Sequence, residues 1–182
     1  MRRFNAILSM MILLLFLVHG IVGAFQLIGL MPGGSTVLRV LSWVMTGLIL
    51  VHAVIGIKFM IEALLTAKKT KAPYLKENLL FWTKSVSGLA IMLFLLSHIL
   101  IFVGRQNGVF RLNYFGGFQL ATQILLVLSI ATHVIANVKP LMISFGIKSL
   151  KPYAKDILFV LSVVLFLAGV SFVIYYLRWN VF

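Results

Sequence analysis

An all-α integral membrane protein is the fold class that the sequence predicts, and three observations predict it. Hydrophobic residues make up 62% of the 182 and charged ones only 10%, where a soluble globular chain is roughly a quarter charged. The mean hydropathy is +1.13. Five apolar stretches, at 6–30, 37–65, 79–104, 117–138 and 156–177, each reach the roughly 20 residues that a helix needs to cross about 30 Å of hydrocarbon. The expected architecture is one transmembrane domain over 1–182, a bundle of five helices.

Each element has its own reasons. The first 24 residues, "MRRFNAILSMMILLLFLVHGIVGA", carry marks of a secretory leader, with Val22-Gly23-Ala24 as a cleavage site. The apolar run continues through "FQLIGLM" to full spanning length, so a retained first helix is expected. "MPGGST" then supplies proline and two glycines for a tight turn, with Ser35 or Thr36 to cap the second helix. "TAKKTKAPYLKEN" and "KPLMISFGIKSLKPYAKD" are basic, proline-bearing connections. Within the latter, "LMISFGI" is too short to span and reads as an interfacial segment between helices four and five.

The net charge of +13, from 16 Lys and Arg against 3 Asp and Glu, would suggest nucleic acid in a soluble protein. Here the bases fall between apolar spans, so membrane topology accounts for them. Arg2, Arg3, Lys68, Lys69, Lys71, Lys76, Lys84, Lys139, Lys148, Lys151 and Lys155 gather at one face, with Lys58 close by; the other holds Arg39, Arg105, Arg111 and Arg178. Cytoplasmic loops collect Lys and Arg, so the expectation is N-terminus cytoplasmic and C-terminus outside. The absence of cysteine excludes disulfides, thiolate zinc sites, iron–sulfur ligation and covalent c-type haem attachment.

All four histidines lie inside apolar runs, one on each of the first four helices. At about 1.5 Å of rise per residue, His19 and His98 fall in the outer half of the membrane, and His52 and His133 in the inner half. An imidazole in a membrane can simply hydrogen-bond a neighbouring helix. Four on four helices, sorting into two depths, point instead to a shared function. Two facing histidines are the axial set of a six-coordinate haem iron suited to electron transfer, so two haem b groups are expected, with His19, His52, His98 and His133 as iron ligands. Gly23 and Gly56, each four residues beyond a histidine, leave room beside the ring. Ser85, Ser87 and Gly88 form a small polar patch on helix three, while Ser129 and Asn137 flank His133.

Haem propionates need cationic or donor partners. Lys58 is the first candidate at the inner site, with Lys139, Lys84 and Ser85 beside it; Arg39, Arg105 and Gln26 are the candidates at the outer site. Snorkelling to lipid phosphate is the commoner role for any one of these bases; Lys58 is the exception, because it shares a helix and a similar face with His52.

Five helices with histidines at alternating depths on the first four resemble the dihaem cytochrome b subunit of the succinate:menaquinone oxidoreductase and fumarate reductase family. "HAVIGIK", at 52–58, is similar to the H-x-x-x-G-x-R/K pattern on the second helix of that family's membrane subunits. The likeness covers nearly the whole chain by layout rather than by a long motif. It implies that His52 and His133 hold a proximal haem near the cytoplasm and His19 and His98 a distal one. It also implies partners, a flavoprotein and an iron–sulfur subunit docked on the cytoplasmic face, with electrons passing through the haems to a quinone, menaquinone in this family. The chain would be the electron-transfer subunit of a respiratory complex in a prokaryotic inner membrane, not catalytic on the dicarboxylate by itself. A higher oligomer of the complex is admitted.

The acids Glu62, Glu77 and Asp156 all sit toward cytoplasmic helix ends, so no glutamate-based proton path through the outer half is expected. A quinone site would then use other donors. Gln26, Arg105, Gln106, Asn107, Asn113 and Tyr114 near the distal haem are the first choice, and Trp82, Lys84 and Ser85 near the proximal one the second; such residues also serve as interface anchors. Other readings remain: a dihaem cytochrome b of a hydrogenase, formate dehydrogenase or extracellular electron-transfer chain; a transporter using histidine proton relays; and a structural anchor without haem.

Overall fold

The structure, a computed structural model, describes residues 2–70, 78–103, 105–106, 109–110, 114–147 and 150–181. Its helices are α1 (Arg2–Leu27), α2 (Thr36–Thr70), α3 (Leu79–Phe102), α4 (Gly117–Ser144) and α5 (Leu150–Asn180). All five are long and apolar enough to cross a membrane. A short antiparallel ladder, β1 (Arg105–Gln106) with β2 (Val109–Phe110), lies between α3 and α4.

Local chemistry explains the boundaries. α1 ends three residues before the expected 30, because Gly29 takes φ +83°. The amides of Leu30 and Met31 then turn back to the Phe25 carbonyl at 2.9 and 3.2 Å. Ser35 is the residue that caps α2, accepting from the Leu38 amide at 3.4 Å. α2 runs to Thr70, beyond the expected 65, as a polar extension.

The "LMISFGI" expectation is corrected. α4 continues through Pro140 to Ser144, so 141–144 is its last turn and not a separate interfacial segment. Pro140 removes one ladder bond, but Val138 and Met142 on either side are buried and hold the helix in line. The stop is Gly146 at φ +73°, where the Ile147 amide reaches the Met142 carbonyl at 3.2 Å. α5 begins at Leu150 rather than 156, with Pro152 in its first turn, where its missing N–H costs nothing.

The helices alternate in direction. α5 packs along both α1 and α4, α1 along α2, and α3 along α4, while α2 with α3 and α1 with α4 touch only slightly. The result is two antiparallel hairpins, α1–α2 and α3–α4, buttressed on one side by α5. Close approach of α1 to α5 needs Gly20, where an added Cβ would come within 2.9 Å of Val164 Cγ1. At the end opposite the lysines, Phe115, Phe172 and Tyr175 form an aromatic core with Phe102 packed on it. There Asn180 Nδ2 donates to the Phe115 carbonyl at 2.9 Å, and Arg178 reaches the last carbonyl of α1, Leu27, at 3.3 Å. Leu161, Val164 and Leu165 of α5 are buried against the hairpins. Between the hairpins the bundle stays hollow.

Candidate functional site

That hollow is a cavity of about 2520 Å³ lined by all four histidines, well above the roughly 300–1,000 Å³ of an ordinary small-molecule pocket. The imidazoles meet in two pairs: His19 with His98, ring centroids 6.0 Å apart and planes at 73°, and His52 with His133, 6.3 Å apart at 88°. Each pair takes one ring from each hairpin.

Every imidazole is held by its Nδ1, and always within its own hairpin. His19 Nδ1 lies 3.0 Å from Ser42 Oγ, and His52 Nδ1 lies 3.0 Å from Asn5 Oδ1 and 3.4 Å from Ser9 Oγ. In the other hairpin, His98 Nδ1 is 2.7 Å from Gln123 Oε1 and His133 Nδ1 is 3.1 Å from Ser87 Oγ. The serine protons are committed elsewhere: Ser42 donates to the Leu38 carbonyl, Ser9 to Asn5 and Ser87 to Thr83, at 2.9, 2.8 and 2.6 Å. Those hydroxyls can therefore only accept from the imidazoles, as the two amide oxygens do. All four rings are thus Nδ1–H tautomers, which leaves the lone pair on Nε2.

This is the arrangement of metal-ligating histidines, whose second nitrogen donates to an outer partner that fixes tautomer and orientation. The gap also fits. Two imidazoles on opposite sides of a metal, each bound through nitrogen at about 2.0 Å, have centroids about 6 Å apart. Among the described residues no group of three or more His, Cys, Asp or Glu could hold an ion. Two nitrogen donors per pair would suit only a metal whose remaining ligands come from a bound group.

The spacing repeats along the chain. Ser9 precedes His19 by ten residues, Ser42 precedes His52 by ten, Ser87 precedes His98 by eleven and Gln123 precedes His133 by ten. Ten residues are about 15 Å of helix rise, so each of the first four helices carries an imidazole of one pair and a support of the other.

Other expected residues fall in several places. Gln26 and Arg39 line the cavity, Gln26 donating to the Pro32 carbonyl at 3.1 Å. Lys84 and Trp82 line it near the other mouth, and Arg39, Lys68 and Lys84 are its cations among the described residues. Lys58 is not on the cavity wall; it is exposed and lies 3.9 Å from Glu62. Six residues beyond His52, at about 100° each, carry it well round the helix. Lys139 is exposed, Ser85 half-buried, and neither lines the cavity. Tyr114 is exposed, its hydroxyl donating to Asn180 Oδ1 at 3.0 Å, and is likewise off the wall. The side chains of Arg105 and Gln106, and all of Asn107 and Asn113, lie outside the described residues. An added Cβ at Gly23 or Gly56 meets nothing within 4 Å, whereas one at Gly88 would come within 3.3 Å of His133 Cε1; Gly88 is what lets α3 approach that ring.

Sequence reasoning missed Asn5, Ser9, Ser42 and Gln123. Their signal was a polar side chain in or at the edge of an apolar span, at the depth of the histidine on the neighbouring helix of the hairpin. Fold and site together define a bundle of five helices long and apolar enough to cross a membrane, with two imidazole pairs lining its internal cavity. No protein-family model, curated protein or solved structure matches the chain.

Proposed function

We propose that the chain is a dihaem membrane cytochrome b that carries electrons across part of the bilayer. The observation that carries the reading is the doubled bis-imidazole geometry, with every Nδ1 bonded within its own hairpin. His19 and His98 would hold one haem, His52 and His133 the other. Bound haem supplies one-electron exchange at iron. The protein's own part is to fix the tautomers through Ser42, Gln123, Asn5, Ser9 and Ser87, to exclude water with apolar helices, and to offer cations to the propionates. Arg39 at one mouth and Lys68 and Lys84 at the other are placed for that role. Two histidines at each site would suit a metal group that exchanges electrons rather than one that binds oxygen.

The layout resemblance extends this to the membrane subunit of a succinate dehydrogenase or fumarate reductase in a prokaryotic cell membrane. It would exchange electrons between an iron–sulfur partner, with its flavoprotein, and menaquinone. The lysine-rich end would dock those partners.

The test is a reduced-minus-oxidised absorption spectrum of the chain purified in detergent from a haem-sufficient host, with a haem-to-protein ratio. Near two low-spin b haems per chain is expected. No haem, in protein purified with its partners, would overturn the reading. Copurification of a flavin-containing and an iron–sulfur subunit tests the complex, and a different redox partner would replace the succinate assignment while leaving the cytochrome.

A further inference from the structure

The Nδ1 bond of His98 is the shortest of the imidazole contacts, 2.7 Å, and its acceptor is the most thoroughly enclosed: Gln123, in the second turn of α4, is 0% exposed. An amide has two faces of opposite polarity, and here its orientation is set. Gln123 Nε2 donates to Thr122 Oγ1 at 3.2 Å. Thr122 Oγ1 gives its own proton to the Gln119 carbonyl at 2.8 Å and accepts from Ser97 of α3 at 3.1 Å. The threonine oxygen can thus only accept from the glutamine, which leaves Oε1 toward His98. The counterpart at the other site, Asn5, is half-buried and shares its imidazole with Ser9 at longer distances.

We infer that Gln123, oriented by Thr122 and Ser97, is a positioning residue that makes His98 a stronger electron donor and lowers the reduction potential of the His19–His98 site. The inference rests on the proposed haem ligation. A short bond from Nδ1–H to a buried acceptor raises the basicity of the opposite nitrogen, and a more basic imidazole would favour the oxidised over the reduced form of a metal that it holds. Gln123 does not touch the metal position itself.

The experiment is a potentiometric titration of the purified full chain, followed in the visible absorption bands, for the unaltered protein, Gln123→Leu, Gln123→Glu and Thr122→Val. Gln123→Leu is expected to raise one of two midpoints by a tenfold change in the reduction equilibrium, about 59 mV for one electron, with the other in place. Gln123→Glu, a stronger acceptor, should lower the same midpoint, and Thr122→Val should raise it by less than Gln123→Leu does. Repeating the set in a His133→Ala chain, which retains only the His19–His98 site, assigns the midpoint. Unmoved midpoints in Gln123→Leu with both haems bound, or shifts of one sign in the Leu and Glu variants, would overturn the inference and leave the cytochrome reading standing. If Gln123→Leu does not retain the haem, Gln123→Glu decides: a fall at one midpoint supports the role and no change overturns it. An unaltered chain without haem overturns the proposed function and this inference with it.

Discussion

Gly88 of α3 faces the His133 imidazole across the helix pair, and a side chain there acts as a wedge against a single ligand. In Gly88→Ala the new Cβ would lie 3.3 Å from Cε1 and 3.5 Å from Nδ1 of that ring, tight enough to displace it by a few tenths of an ångström. Overpacking of this kind costs about 1–3 kcal/mol, while exchange of glycine for alanine inside a helix gains about 1 kcal/mol. The two nearly cancel in the stability of the bundle. They would not cancel at the proposed haem, where a ligand must sit within about 0.2 Å of its bonding distance. Gly88→Ala should therefore unfold at nearly the normal temperature yet bind haem at the His52–His133 site about tenfold more weakly, a loss of about 1.4 kcal/mol. Gly88→Leu should lose that haem and keep the other. Haem-to-protein ratio and thermal unfolding in detergent are the assays, with Gly47→Ala as control, since an added Cβ there meets nothing within 4 Å. A Gly88→Leu chain with two haems and an unaltered spectrum would refute the reasoning, and so would loss of both haems together.

Single replacements of the histidines should group by site. His19→Ala and His98→Ala each remove one and the same haem, His52→Ala and His133→Ala the other, and the double variant within a pair removes no more than either single one, read by spectrum and haem content. Gly146→Ala, at φ +73°, should destabilise the α4–α5 connection by about 1–2 kcal/mol, visible as a lower unfolding temperature with haem content unchanged. Gly20→Leu drives a side chain into Val164 from 2.9 Å and should cost about 1–3 kcal/mol by the same thermal assay. Lys58→Ala, at an exposed residue off the cavity wall though 3.9 Å from Glu62, which lines it, should leave both haems and both midpoints as they are; loss of either would make Lys58 a propionate partner.

Much of this protein was legible in its residues for a simple reason. A membrane span is a regular helix of fixed rise between two flat boundaries, so residue number converts directly into depth. Depth alone grouped His19 with His98 and His52 with His133, and those are the imidazoles that meet at 6.0 and 6.3 Å. Apolar length located all five helices, and the Ser35 cap at the start of α2 was legible, whereas the Gly29 stop that ends α1 three residues early was not. Depth says nothing about rotation around the helix axis. In an apolar span facing lipid on one side and protein on the other, both faces are hydrophobic, and only packing against neighbours decides which looks inward. Lys58 is near the right depth but turned away, while Lys84 is turned in. The Nδ1 partners depend on that same rotation, together with the pairing of α1 with α2 and α3 with α4. Ser42 and Gln123 could be recognised as supports only once a neighbouring helix had brought an imidazole to 3.0 and 2.7 Å.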